Sequence, residues 1–200
     1  MAVMLVLTAA PVSFRVSCAA ALLAAFCLAM QTGPAAAQEV QTDLAAPDAV
    51  AAALGLSDRG LSFIERHEGF VGHLYNDSLD NCTIGYGHLL HHGGCGPSDR
   101  ARYPHGITRA RARDLLRADV GVAERAVRAD VRVRLNQHQF DALVSFTFNI
   151  TNAFRGSTLL RVLNQGHYSQ VPAQMMRWTI GGLEQRRRDE VRLWKYGQYT

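Results

Sequence analysis

Glu68, Asp77 and Thr83 lie within one short stretch, EGFVGHLYNDSLDNCTIGYGH, running from Glu68 to His88. Two carboxyls and a hydroxyl are thus offered from what reads as a helix end, a turn and a strand. Two carboxyls on opposite sides of a sugar linkage are the minimum equipment for hydrolysing a glycosidic bond. One must be protonated, to donate to the leaving oxygen; the other must be ionised, to activate water or to stabilise positive charge on the ring. Glu68 is placed at the C-terminal end of its helix. The negative pole of the helix dipole and partial burial both favour a protonated acid there. Asp77 sits in a turn, where solvent keeps a carboxylate ionised. The Thr83 hydroxyl both donates and accepts, so it can hold a water. Taken singly, each has an ordinary reading: a solvated Glu, an Asp bonded to its own turn, a β-branched residue favouring a strand.

The elements that must position these residues can be read from periodicity and caps. Ser57 caps a helix carrying Leu61, Phe63 and Ile64, which ends near His67 or Glu68, with Gly69 at the left-handed position beyond it. Strand-like runs follow at His73 to Tyr75 and Cys82 to His88, joined by the turn NDSLDN. In one extended strand Thr83, Gly85 and Gly87 face one side, and Cys82, Ile84, Tyr86 and His88 the other. Glycines on a face leave room for a ligand, which makes Gly85 a candidate substrate contact. The segment 91–106, rich in Gly and Pro, reads as a loop. Thr108 caps a long helix to about Val133, and Asn136 opens an apolar helix, QHQFDALVSFTFNI. Ser157 caps TLLRVLNQ, a further helix covers about Ser169 to Trp178, Gly181-Gly182 breaks it, and a last helix runs from Leu183 to Lys195. The expectation is an α+β fold, with a small β-containing lobe near residues 69–107 beside a larger helical lobe. A cleft between such lobes suits a polymer substrate.

The first 37 residues read as an export signal. Arg15 is the only charged side chain before Glu39, an apolar run VSCAAALLAAFCLAM follows it, and Ala35-Ala36-Ala37 precedes Gln38. Cleavage after Ala37 is the favoured reading; a releasable membrane anchor is the alternative. Residues 38–56 read as a linker, and 57–200 as the working domain. Loss of the leader removes Cys18 and Cys27 and leaves Cys82 and Cys95, which suggests a disulfide in an oxidising compartment. His91, His92 and Cys95 as metal ligands are the weaker alternative, because no closed zinc spacing supports them.

The run TIGYGH, with the order and spacing of Glu68, Asp77 and Thr83, resembles the phage-type lysozyme family, glycoside hydrolases of the phage T4 lysozyme kind. The likeness continues in NQHQFDALVSFTFNI, FRGSTLLRVLNQG, Arg177-Trp178 and GLEQRRRDEVRLW, and so spans most of residues 58–196. It implies a lysozyme-like fold and cleavage of peptidoglycan between N-acetylmuramic acid and N-acetylglucosamine, with inversion and without metal or other cofactor. Glu68 takes the acid position, Asp77 the second carboxylate and Thr83 the water-positioning hydroxyl, while His88 is structural. Asn149 falls where the family places a polar residue facing the cleft. Arg186 or Arg187 approaches Glu68 from the last helix, and Arg186 is a candidate substrate contact. Thr151 stands where the family often has Gly.

A formal charge of +4, carried almost wholly by Arg, suits a polyanionic partner without choosing one. The Arg-rich helix from Arg109 is diluted by Asp114, Asp119, Glu124 and Asp130, with no aromatic interleaved. It reads as a solvated face and not as a nucleic-acid surface. Three Asn-X-Ser/Thr triplets, at Asn76, Asn81 and Asn149, fall at the candidate site and are expected to be unmodified. A periplasmic or secreted monomer acting on glycan strands is expected, touching the membrane only through its N-terminal segment.

Overall fold

The computed structural model describes residues 53–150 and 153–199. The expected signal, nearly all of the linker, and Thr151 lie outside them. Helix α1 (Asp58–Glu68) opens where the Ser57 hydroxyl accepts from the Gly60 N–H at 2.9 Å. It ends at Gly69, whose φ of 70° is left-handed. Its buried face carries Leu61, Phe63 and Ile64. Gly60 lets the helix lie close to its neighbour: a Cβ there would come within 2.6 Å of the Asp141 side chain.

A three-stranded antiparallel sheet follows, in the order β1 (Val71–Asn76), β2 (Cys82–Gly85), β3 (His88–His91). Tyr75 is paired with Thr83, and Asn76 with Cys82. The single strand expected over Cys82 to His88 is instead a hairpin. Gly85 and Gly87 take φ of 74° and 83°, and the chain reverses between them. The strict alternation of faces expected there fails, and every residue of β2 is buried. The segment 91–106, expected to be loop throughout, contains a short helix, α2 (Pro97–Arg102). Pro97 starts it, and Asp99 accepts from the Gly96 N–H at 2.8 Å.

Helix α3 (Arg109–Asp130) is capped by Thr108 and buries Ala112, Leu116, Val120, Ala123 and Val127, a stripe at helical spacing. Three of its six arginines are paired with carboxylates: Arg113 with Glu65 at 2.5 Å, Arg117 with Asp58 at 2.5 Å, Arg128 with Glu124 at 2.5 Å. Helix α4 (Gln137–Ile150) is buried from Phe140 to Thr147 and packs against α1, α3 and the last helix. Asn136 and Gln139 bond each other's backbone N–H at 2.9 and 3.1 Å, closing its first turn.

Helix α5 (Thr158–Asn164) is capped by Ser157. The single helix expected over Ser169 to Trp178 resolves into a 3-10 turn, Tyr168–Gln170, and a short α6 (Val171–Met175). Pro172 in its first turn has no N–H to donate, so it begins a helix better than it continues one. Gly181 and Gly182, both at positive φ, lead into α7 (Glu184–Tyr196). The core joins Phe63, Leu116, Phe140, Phe146, Phe154 and Trp194. Among the described residues, no helix is long and apolar enough to cross a membrane.

Candidate active site

Glu68 is the last residue of α1, where the chain leaves the helical body for the sheet. Its side chain is about a quarter exposed, at 24%. The Arg186 Nη1 donates to Glu68 Oε1 at 2.6 Å. Behind that pair lies a buried polar chain. Arg186 also donates from Nε to Glu190 Oε1 at 3.2 Å and from Nη2 to the Ser145 carbonyl at 3.3 Å. The Ser145 hydroxyl donates to the same Glu190 oxygen at 2.8 Å. Arg187, fully buried, donates to Glu190, to the Trp178 carbonyl and to Asn149 Oδ1, and lies over the Phe146 ring. Both guanidiniums find hydrogen-bond acceptors within this chain, which is the condition for keeping such charges out of water.

This network sorts the run of three arginines in the last helix. Arg186 approaches Glu68, but it is 6% exposed and its donors are taken up by Glu68, Glu190 and Ser145. It holds the carboxyl from behind instead of facing a substrate. Of the RRR run, only Arg188 behaves as a solvated residue, paired with Glu184. Asn149 is partly exposed at the end of the chain of charges. It borders a cavity of about 240 Å³ with Ile150, Arg177, Trp178, Ile180 and Leu183.

Asp77 follows β1 directly. Its Oδ1 accepts from the N–H groups of Leu79 at 2.8 Å and Asn81 at 2.9 Å, and its Oδ2 from the Asn81 amide at 3.2 Å. These bonds, led by that of the Asn81 N–H, hold the carboxyl below the usual range, and His92 adds a smaller pull the same way. Thr83 is buried at 3% exposure on β2, with its hydroxyl donating to the Asn81 carbonyl at 3.2 Å. Its lone pairs are left to accept from water.

Tyr75 is a site residue the sequence reading missed. It pairs with Thr83 across the sheet and lies on β1, two positions before Asp77, which follows the strand. Burial first, then the charges of Asp77 and Glu68, push its phenol up. Tyr75 is therefore the common neighbour of both carboxyls. Its place two residues before Asp77, near the end of the strand that leads into the turn, was the available signal.

Gly85 departs from its expected role. The space a side chain would take is filled by Ala112 at 3.1 Å and Ile107 at 3.3 Å. Its glycine is required by a positive φ and by the approach of α3, not by an open ligand face. His88 ties β3 to α3, with its Nδ1 2.8 Å from Asp119, in keeping with a structural part. Cys82 and Cys95 form a disulfide. That removes Cys95 from the His91, His92 and Cys95 ligand set. It also takes Cys82 out of a second cluster, with His91 and Asp99, because a disulfide sulfur offers no thiolate to a metal.

Residues 65–190 match the family model described as phage lysozyme. The endolysin of Salmonella phage P22 is 37% identical over 145 residues, covering 68% of this chain and 95% of that protein. The SAR-endolysin of Escherichia phage Mu is 35% identical over 128 residues, covering 60% of this chain and 69% of the relative. Among solved structures, an endolysin from Escherichia coli O157:H7 phage FAHEc1 superposes with a TM-score of 0.65 at 31% identity, over 74% of this chain and 98% of that one. The match starts just before Glu68, ends at Glu190, and encloses the carboxyls, the strand hydroxyl and the buried ion chain, so the protein belongs to the phage lysozyme family.

Proposed function

We propose that this protein is a lysozyme, a peptidoglycan hydrolase that cleaves the β-1,4 bond between N-acetylmuramic acid and N-acetylglucosamine. Glu68 donates a proton to the glycosidic oxygen. Asp77 and Thr83 hold the attacking water on the other face of the sugar. The observation that carries this reading is the division between the two carboxyls. Glu68, about three-quarters sheltered, meets one arginine at the end of α1, whereas Asp77 lies in the turn after β1, held ionised by three N–H donors. Two carboxyls in such different surroundings divide into acid and base. The glycan lies between the sheet and the helical body, with Asn149 a contact on the helical side. Water attack opposite the leaving group inverts the anomeric carbon, as the family resemblance implies.

The N-terminal segment is read as the route to the periplasm, as a cleaved signal or a releasable anchor, and the name SAR-endolysin borne by relatives supports export. The protein is taken to act as a monomer on glycan strands.

The test is purified protein on purified peptidoglycan with Glu68→Gln beside it, reading released fragments by mass. Fragments with reducing N-acetylmuramic acid ends, lost by about 10²-fold or more in the variant, are expected. Anhydro ends would make the reaction a lytic transglycosylation. Wall binding without fragments would leave a binding module.

A further inference from the structure

The segment after β3 grips the turn that carries Asp77 from both sides. On one side the Cys95 N–H donates to Asn76 Oδ1 at 2.9 Å, and Cys95 is bonded to Cys82. On the other side the Gly93 N–H donates to Asn81 Oδ1 at 3.4 Å, with His92 Nδ1 3.1 Å from the same oxygen. The Gly93 carbonyl in turn accepts from the Cys82 N–H at 2.8 Å. Asn76 and Asn81 are the residues that bracket the turn, and every one of these contacts reaches one of them or the disulfide.

Chemistry fixes the orientation of the Asn81 amide. Gly93 N–H can only donate, and an ionised Asp77 can only accept. Asn81 Oδ1 must therefore face Gly93, and its Nδ2 must face Asp77. His92 then carries its proton on Nδ1 to complete the set. Asn81 meets Asp77 at both oxygens, through its backbone N–H and its amide, and its carbonyl accepts from Thr83. One residue thus touches both members of the water-holding pair.

We propose that Asn81 is a positioning residue for the Asp77 carboxylate and the Thr83 hydroxyl, and that the disulfide-tethered loop 91–96 is the frame that holds Asn81 in register. This rests on the reading of Asp77 and Thr83 as the groups that hold the attacking water. The groups that act on Asp77 are the Leu79 N–H, the backbone N–H and amide of Asn81, and His92 on the loop, while Tyr75 on β1 lies near enough to feel its charge. Among them Asn81 is the one that binds both of its oxygens.

Four single variants of the full chain, Asn81→Ala, Asn81→Asp, His92→Ala and Asp77→Asn, are compared by kcat, KM and the pH profile of peptidoglycan hydrolysis, with thermal midpoints alongside. Asn81→Ala removes the amide donor. It is expected to lower kcat by about 10- to 100-fold with little change in KM, and to move the acid limb of the profile upward. Asn81→Asp keeps an oxygen for Gly93 and His92 but sets a second carboxylate against Asp77. It is expected to move the limb further while keeping a near wild-type midpoint. His92→Ala leaves the Asp77 bonds formed, loosens the frame and removes the smaller direct pull of that imidazole on Asp77, so a smaller shift in the same direction is expected.

An acid limb unmoved in both Asn81 variants, with activity falling only as far as the midpoint does, would overturn the proposal. Asp77→Asn separates the two levels. Inactive Asp77→Asn with unmoved Asn81 profiles defeats the positioning role alone; active Asp77→Asn defeats the reading of Asp77 and the proposal with it.

Discussion

Arg186 Nη1 and Glu68 Oε1 meet at 2.6 Å across 118 residues of sequence. The contact joins the end of α1 to the first turn of α7, and its other end is anchored on Glu190, which is fully buried. Position at the Glu68 carboxyl is therefore set from inside the helical body. The same chain ends at Asn149, so both proposed substrate-facing groups of that lobe hang on one buried carboxylate.

Glu190→Gln should be among the most destabilising single changes in the domain. It leaves Arg187, fully buried, without its anion, and removes one of the two carboxyls that Arg186 meets. Breaking a buried ion pair on one side costs about 3–5 kcal/mol. Urea unfolding of wild type and variant measures it; a loss under about 1 kcal/mol would mean that water or a shifted partner replaces the carboxylate.

His67 gives the fold an acid sensitivity. Its imidazole is buried against Phe63 and near Arg186, and is pushed down from 6.5 to about 4, first by burial and then by that cation. The folded state thus holds the neutral ring where the unfolded chain would protonate it. Stability from this group is complete above pH 6.5 and is lost as pH falls toward 4. Between pH 7 and 4 the denaturation midpoint of the wild type should fall more steeply than that of His67→Gln. Parallel curves would show that the ring does not contribute.

Tyr199 acts at the other end of the scale. Its hydroxyl donates to Asp141 Oδ2 at 2.6 Å, and the Ser57 hydroxyl donates to the same oxygen at 2.5 Å. Burial first, then the Asp141 hydrogen bond and charge, raise the phenol to about 12. Its contribution is present below pH 10 and is lost as pH rises through about 12. Tyr199→Phe should lower stability at neutral pH and flatten its decline above pH 10, as read by chemical denaturation; an unchanged alkaline slope would refute the assignment.

Cys95→Ser should destabilise the domain through its unfolded state. The bridge closes a loop with a sequence separation of 13. A loop of that size is worth about 3 kcal/mol in the chain-entropy model. Equal unfolding free energies for wild type and variant would show that the loop is held by its hydrogen bonds alone.

Local chemistry made much of this protein legible in its sequence. Ser57, Thr108, Asn136 and Ser157 announce helix starts because a short polar side chain can satisfy an N–H that the helix cannot. The stripe from Ala112 to Val127 announces a buried face because 3.6 residues make a turn. The spacing of Glu68, Asp77 and Thr83 is likewise a matter of adjacent residues. The tertiary structure decided what depends on distant partners. Gly85 turns instead of extending, because α3 arrives against it. A run of three arginines divides into one that holds Glu68, one fully buried and one solvated, because α7 meets α1 and α4 along one side only. Tyr75 becomes the shared neighbour of two carboxyls only when the sheet closes. Hydrogen bonds between neighbours in sequence are dictated by residue type; those that cross the fold depend on which surfaces packing brings together, and no local pattern encodes that.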